Sequence, residues 1–102
     1  MKKSTRKEEQ IERITAHEEI LDRAQEVLRE LEEALQRWEE IQPEIGKLDG
    51  YYQSDLWKQD FEDEEKGKFP KDLKRGVLSE DGIYDVLERN KEMKSRIRQE
   101  KE

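Results

Sequence analysis

From Ile11 onward the apolar residues fall at Ile11, Ile14, Ile20, Leu21, Ala24, Val27, Leu28, Leu31, Ala34, Leu35, Trp38, Ile41, Ile45 and Leu48. The gaps are threes and fours, the period of an α-helix. In sevens, Leu21, Leu28 and Leu35 share one position, and Ala24, Leu31, Trp38 and Ile45 share a second. Ile20, Val27, Ala34, Ile41 and Leu48 fill a third beside the first. Three apolar positions in seven make a stripe wider than a two-stranded coiled-coil seam, a width suited to a bundle helix that touches more than one neighbour. Glu9 and Arg13, Glu19 and Arg23, and Glu33 and Arg37 each place an acid four residues before a base, for about 0.2–0.5 kcal/mol per pair. Pro43 removes an amide donor and crowds the preceding turn, at about 3 kcal/mol. The apolar phase crosses it unbroken, so the pattern predicts one helix kinked near residues 39–43, with a break there as the lesser alternative. It should begin near Glu8 and stop at Asp49-Gly50, where glycine can take the left-handed cap.

The segment from Tyr51 to Ser79 differs in character. It holds Tyr51, Tyr52, Trp57, Phe61 and Phe69, five of the seven aromatic residues. Ser54 can cap a short helix carrying Leu56, Trp57 and Phe61 with the acids Asp60, Glu62, Asp63, Glu64 and Glu65. Gly67 and Pro70 then impose a loop. A last helix opens at Ser79, with Glu80 and Asp81 in its first turn and Ile83, Val86, Leu87, Met93 and Ile97 on its inner side; Gly82 weakens it a little. The fold class expected is therefore all-α: a long kinked amphipathic helix, a short aromatic helix, a basic loop and a C-terminal helix in one domain, residues 1–102. Residues 1–8 and 99–102 should fray. A helix from Glu8 to Leu48 would span about 60 Å and the last helix about 30 Å, which leaves stripe uncovered within one chain. A bundle completed by homo-oligomerisation through the long helix answers that exposure better than a fold-back of the middle segment.

Composition restricts the functions available. The chain has 102 residues, 30% hydrophobic and 48% charged, with net charge −7. No apolar run approaches a bilayer span, and Met1 to Lys7 leads into glutamates rather than an apolar signal core, so a cytoplasmic protein with no membrane partner is expected. With no cysteine and one histidine there is no thiol nucleophile, zinc knuckle or histidine pair, and no cofactor is implied. His17, at the edge of the stripe, suits packing or an interface rather than metal ligation. The acids Asp60 to Glu65 lack the spacing of a calcium loop and read as a solvated face.

Charge is unevenly placed. Residues 1–50 carry −5, residues 51–65 another −5, residues 66–79 +4 and residues 80–102 −1. Duplex nucleic acid is a poor partner for such a chain. The basic loop leads into a helix N-terminus, where free amides and the dipole favour an anion. Lys74 and Arg75 would hold phosphate there, with Tyr52 and Trp57 as stacking faces and Tyr51 nearby. Ser79 would supply amides, and Asp60 or Asp81 would accept from ribose hydroxyls or orient Arg75. Equally, the loop can be the internal counter-charge of Asp60 to Glu65 and the aromatics a small core.

The stretch Tyr51-Tyr52-Gln53-Ser54-Asp55-Leu56-Trp57 and the run from Pro70 through Leu73-Lys74-Arg75-Gly76-Val77-Leu78-Ser79-Glu80-Asp81 to Asp85 resemble a family of short bacterial proteins classed as a domain of unknown function. The likeness covers about residues 9–92 and departs mainly in the basic residues before Lys7 and the charged tail. It implies a long amphipathic helix followed by an aromatic and polar constellation, and it brings no activity. Together these features favour a non-enzymatic helical module that senses or sequesters an anionic, nucleotide-like small molecule. The alternative is a protein-interaction module with no small-molecule ligand. A metal-dependent phosphoesterase using Asp60 and Glu64 is a third, weaker reading.

Overall fold

The computed structural model describes residues 2–101, with side chains from 5 to 98. Three helices occur in order: α1 (Lys2–Tyr52), α2 (Asp55–Glu65) and α3 (Glu80–Lys101), with a single 3-10 turn, Gly76–Leu78, before α3. No strand occurs among the described residues. The all-α class and the order of long helix, short helix, loop and helix are as the apolar period predicts. The chain divides into two compact units, Met1–Glu40 and Ile41–Glu102.

The first unit is helical throughout its described length. Its apolar stripe is open: Ile11, Ile14, Ile20, Leu21, Val27, Leu28 and Leu31 are 49–60% exposed. Leu35 and Trp38 are half-buried. The helix starts at Lys2, six residues before the expected Glu8, because nothing in the run Lys3 to Lys7 breaks a helix. Met1 and Glu102, within the ends expected to fray, lie outside the described residues. None of the pairs Glu9 with Arg13, Glu19 with Arg23 or Glu33 with Arg37 comes within 4 Å. A contact worth a few tenths of a kcal/mol does not fix two long, solvated side chains.

The second unit contains the core. Trp57, Leu78, Ile83 and Leu87 are buried, and Ile45, Leu48, Tyr51, Tyr52, Phe61 and Phe69 pack against them partly covered. Pro43 lies inside α1, which is not broken there. The helix also passes Gly50, whose φ is not positive, and ends at Tyr52. The stop comes late because a residue beyond the helix closes it: Ser54 N–H donates to the Tyr51 carbonyl at 3.0 Å, and Ser54 Oγ donates to the same oxygen at 2.6 Å. Ser54 Oγ also accepts from Trp57 N–H at 3.3 Å, as an N-cap should. Asp49 and Gly50 are therefore helix interior, and one serine both ends α1 and starts α2.

α2 ends in a Schellman motif. Lys68 N–H reaches the Asp63 carbonyl at 3.1 Å and Gly67 N–H the Glu64 carbonyl at 3.0 Å, with Gly67 at φ 70°. Ser79 caps α3, its Oγ accepting from Gly82 N–H at 3.3 Å. Gly82 has a packing reason: a Cβ there would sit 3.3 Å from the Gly76 carbonyl oxygen, so glycine lets the 3-10 turn lie against the start of α3. Along α3, Ile83 and Leu87 are buried and Ile97 is half-buried, but Val86 and Met93 remain about 40% exposed, contrary to the expected inner side. One helical turn beyond Leu87 the inner position is polar. Asn90 and Gln42 face each other with two reciprocal amide hydrogen bonds, each 3.0 Å. That pair joins the Ile41–Tyr52 part of α1 to α3 and ends the apolar core.

Truncating Trp57 should be the most damaging single change in residues 41–102. Trp57→Ala is expected to cost about 3–5 kcal/mol, a large part of the stability of a core this small. Urea unfolding followed by near-ultraviolet circular dichroism measures it; a loss below about 1 kcal/mol would contradict this packing.

Candidate functional site

The eight residues singled out for phosphate and ring recognition lie in the second unit, on the end of α1, α2, the loop and the start of α3. Their chemistry is directed largely inward. Trp57 is 7% exposed; its ring stacks on Phe61 at 5.1 Å and 21° and meets the edge of Tyr52 at 5.0 Å and 78°. Its Nε1–H donates to the Val77 carbonyl at 3.0 Å. A buried indole with its one donor satisfied is a core residue, and neither ring face is open for a base. Tyr51 donates from its hydroxyl to Asp60 Oδ2 at 2.6 Å, tying α1 to α2. The pKa of that hydroxyl is pushed up to about 12, by burial first and then by the hydrogen bond to, and the charge of, Asp60.

The basic loop answers the acids of α2. Arg75 Nη1 donates to Glu64 Oε1 at 2.9 Å in a half-buried ion pair, and Lys68 lies 3.4 Å from Asp63. The contact of Arg75 uses one carboxylate oxygen. Glu64 Oε2 is shielded and accepts no hydrogen bond from the protein. Lys66, Lys71 and Lys74 are exposed and make no ion pair within 4 Å. Thus Arg75, rather than Lys74, is the cation built into the fold, and an incoming phosphate would have to displace Glu64 to reach it.

At the start of α3, Ser79 Oγ is occupied by Gly82 N–H, and Asp81 is exposed. An open dish of about 510 Å³ is lined by Asp81, Gly82, Tyr84, Asp85 and Glu88. Three carboxylates around it disfavour an anion. A separate groove of about 240 Å³ is apolar, lined by Leu48, Gly76, Val77, Gly82, Ile83 and Val86. Tyr51, Tyr52, Trp57 and Asp60 are thus brought together, Arg75 is drawn to Glu64, and Lys74 stands apart. Among the described residues no three of the His, Asp and Glu side chains converge as metal ligands. No helix of the described residues is long and apolar enough to cross a membrane.

Three contacts carry little or no signal in the residues alone. Glu64 is one of the five acids in the run Asp60 to Glu65, although the loop basics make some pairing expected. The Gln42 and Asn90 amides, 48 positions apart, have no local signal. The acceptor for Trp57 is a main-chain carbonyl, which residue identity does not mark.

Removing the guanidinium in Arg75→Ala should cost about 1 kcal/mol, since the pair is partly exposed and solvent screens it; thermal unfolding at low and high salt checks this, with the smaller loss at high salt. Because the folded-state pKa of Tyr51 lies above the ordinary 10, its contribution is fully present below pH 10 and is lost as pH rises towards 12. Stability of the wild type should therefore fall between pH 10 and 12 more steeply than that of Tyr51→Phe, and ultraviolet titration should find one tyrosine ionising late.

No curated protein and no solved structure matches the chain. A family model does, over residues 14–99, which includes most of α1, all of α2, the basic loop and nearly all of α3. The chain belongs to the family described as Domain of unknown function (DUF4298).

Proposed function

We propose that this chain is a non-enzymatic helical interaction module that acts by associating through the apolar stripe of α1. The observation carrying this reading is the exposure of seven large aliphatic side chains between Ile11 and Leu31, each about half or more accessible and all at helical spacing. Contiguous apolar surface on that scale marks an interaction face, because water is excluded from it only when another surface covers it. Charged residues on the rest of the helix keep association confined to the stripe.

The second unit supports the same reading by what its polar groups are doing. Trp57, Tyr51, Arg75 and Ser79 each hydrogen-bond a partner inside the chain. Their work there is cohesion, and of the residues expected to grip a phosphate Lys74 alone keeps an exposed charge with no ion pair. The nucleotide-binding alternative therefore draws less support than the interaction module.

Chemical cross-linking in cells should give adducts heavier than the 12.4 kDa chain, and Leu21→Glu combined with Leu28→Glu should abolish them while leaving the near-ultraviolet spectrum of the Trp57 core unchanged. Adducts that survive the double substitution would refute association through the stripe. In thermal-shift measurements, mononucleotides, cyclic dinucleotides and ADP-ribose derivatives should leave the melting temperature unmoved. A shift that disappears in Arg75→Ala would restore the phosphate site.

A further inference from the structure

We infer that the partner of the α1 stripe is the stripe of a second copy of this chain, aligned parallel and in register. This rests on the interaction-module reading and adds the partner and its direction. Both are specified by the two borders of the stripe. Beside the row Leu21, Leu28, Leu35 the next position round the helix holds Glu18, Gln25 and Glu32, and no base. Beside the row Ile20, Val27, Ala34 the next position holds Arg23, Glu30 and Arg37. All six are exposed, and neither arginine has a carboxylate within 4 Å in its own chain.

Parallel neighbours present unlike borders to each other, whereas antiparallel neighbours present like borders. Parallel alignment in register sets Arg23 against Glu18 of the second copy and Arg37 against Glu32 of the second copy. Each is displaced five residues, about 7.5 Å, toward the N-terminus. Both side chains lean the same way in parallel helices, so the offset is spanned by the combined length of arginine and glutamate. Glu30 meets Gln25 of the second copy at the same displacement; it also lies two residues from Glu32 of the second copy, one like-charged approach set against the two arginine pairs. Reversing one helix brings the acidic border against itself, with Glu facing Glu and no base to relieve it. The apolar stripe supplies the attraction, and the borders choose the direction. A stripe whose two borders complement each other is suited to copies of itself, in whatever number close the assembly.

The absence of native cysteine makes the test direct. His17→Cys and Leu31→Cys, made separately in the full chain, should each form a covalent dimer on mild oxidation, and Arg29→Cys on the outer face should not. Only a parallel, in-register arrangement brings both positions against their own counterparts, since an antiparallel one can do so for at most one of them. Arg23→Glu with Arg37→Glu should weaken association several-fold in sedimentation at low salt. Adding Glu18→Arg and Glu32→Arg should restore it. Association without both homotypic cross-links, or without rescue by the charge exchange, overturns the parallel pairing and leaves the interaction module standing. A chain that sediments as a 12.4 kDa monomer at all concentrations overturns the second copy as partner, and the stripe-dependent adducts in cells then decide the broader reading independently.

Discussion

An indole taken out of water with its N–H unpaired loses about 1–3 kcal/mol, so burying Trp57 obliges the chain to supply an acceptor. It supplies the Val77 carbonyl. That one bond determines much else in residues 41–102, because Val77 belongs to a 3-10 turn that must lie over α2 to present its carbonyl there. Leu78 is buried beside it, and Ser79 comes at once as the cap of α3. Gly82 then eases the start of α3 so near the turn, since a Cβ there would make a tight 3.3 Å contact with the Gly76 carbonyl oxygen. Phe61 and Tyr52 close the two remaining sides of the ring, with Tyr51 anchored to Asp60 next door. A long loop is thereby held by a single aromatic side chain and the short polar contacts around it.

The two units differ in what satisfies them. In residues 41–102 the polar groups around the core largely find partners inside the chain, among them an arginine on a glutamate and two amides on each other. In the first unit the backbone satisfies itself as a helix, and the large aliphatic side chains from Ile11 to Leu31 are about half or more exposed. His17 shows the same economy on a small scale: its Nδ1–H donates to the Arg13 carbonyl at 2.6 Å, one turn back on its own helix.

How much of this is legible in the residues depends on whether a signal is local. The period of three and four along Ile11 to Leu48 identifies α1, and Ser54 and Ser79 announce the starts of α2 and α3, because caps act over three residues. The end of α1 is misplaced by the residue pattern for a complementary reason. Gly50 permits a stop without requiring one, and the closure that does end the helix comes from Ser54 reaching back to Tyr51. The constellation at Tyr51, Trp57, Asp60 and Arg75 is visible as a concentration of aromatic and charged residues. Whether such side chains face a ligand or one another is settled by the path of the loop between Lys66 and Ser79, and no short motif specifies that path. Asn90 falls at an inner position of α3 where an apolar residue is expected, and only a distant amide makes it favourable there.

The chain has two tryptophans, and the fold gives each unit one of them in a different environment. Trp57 is enclosed by rings and bonded to a carbonyl, whereas Trp38 is half-buried on the helix of the first unit. Their emission should therefore differ in colour and in access to a soluble quencher. Replacing either one by phenylalanine leaves the other as an optical label for its own half, so each unit can be followed separately with intrinsic fluorescence alone.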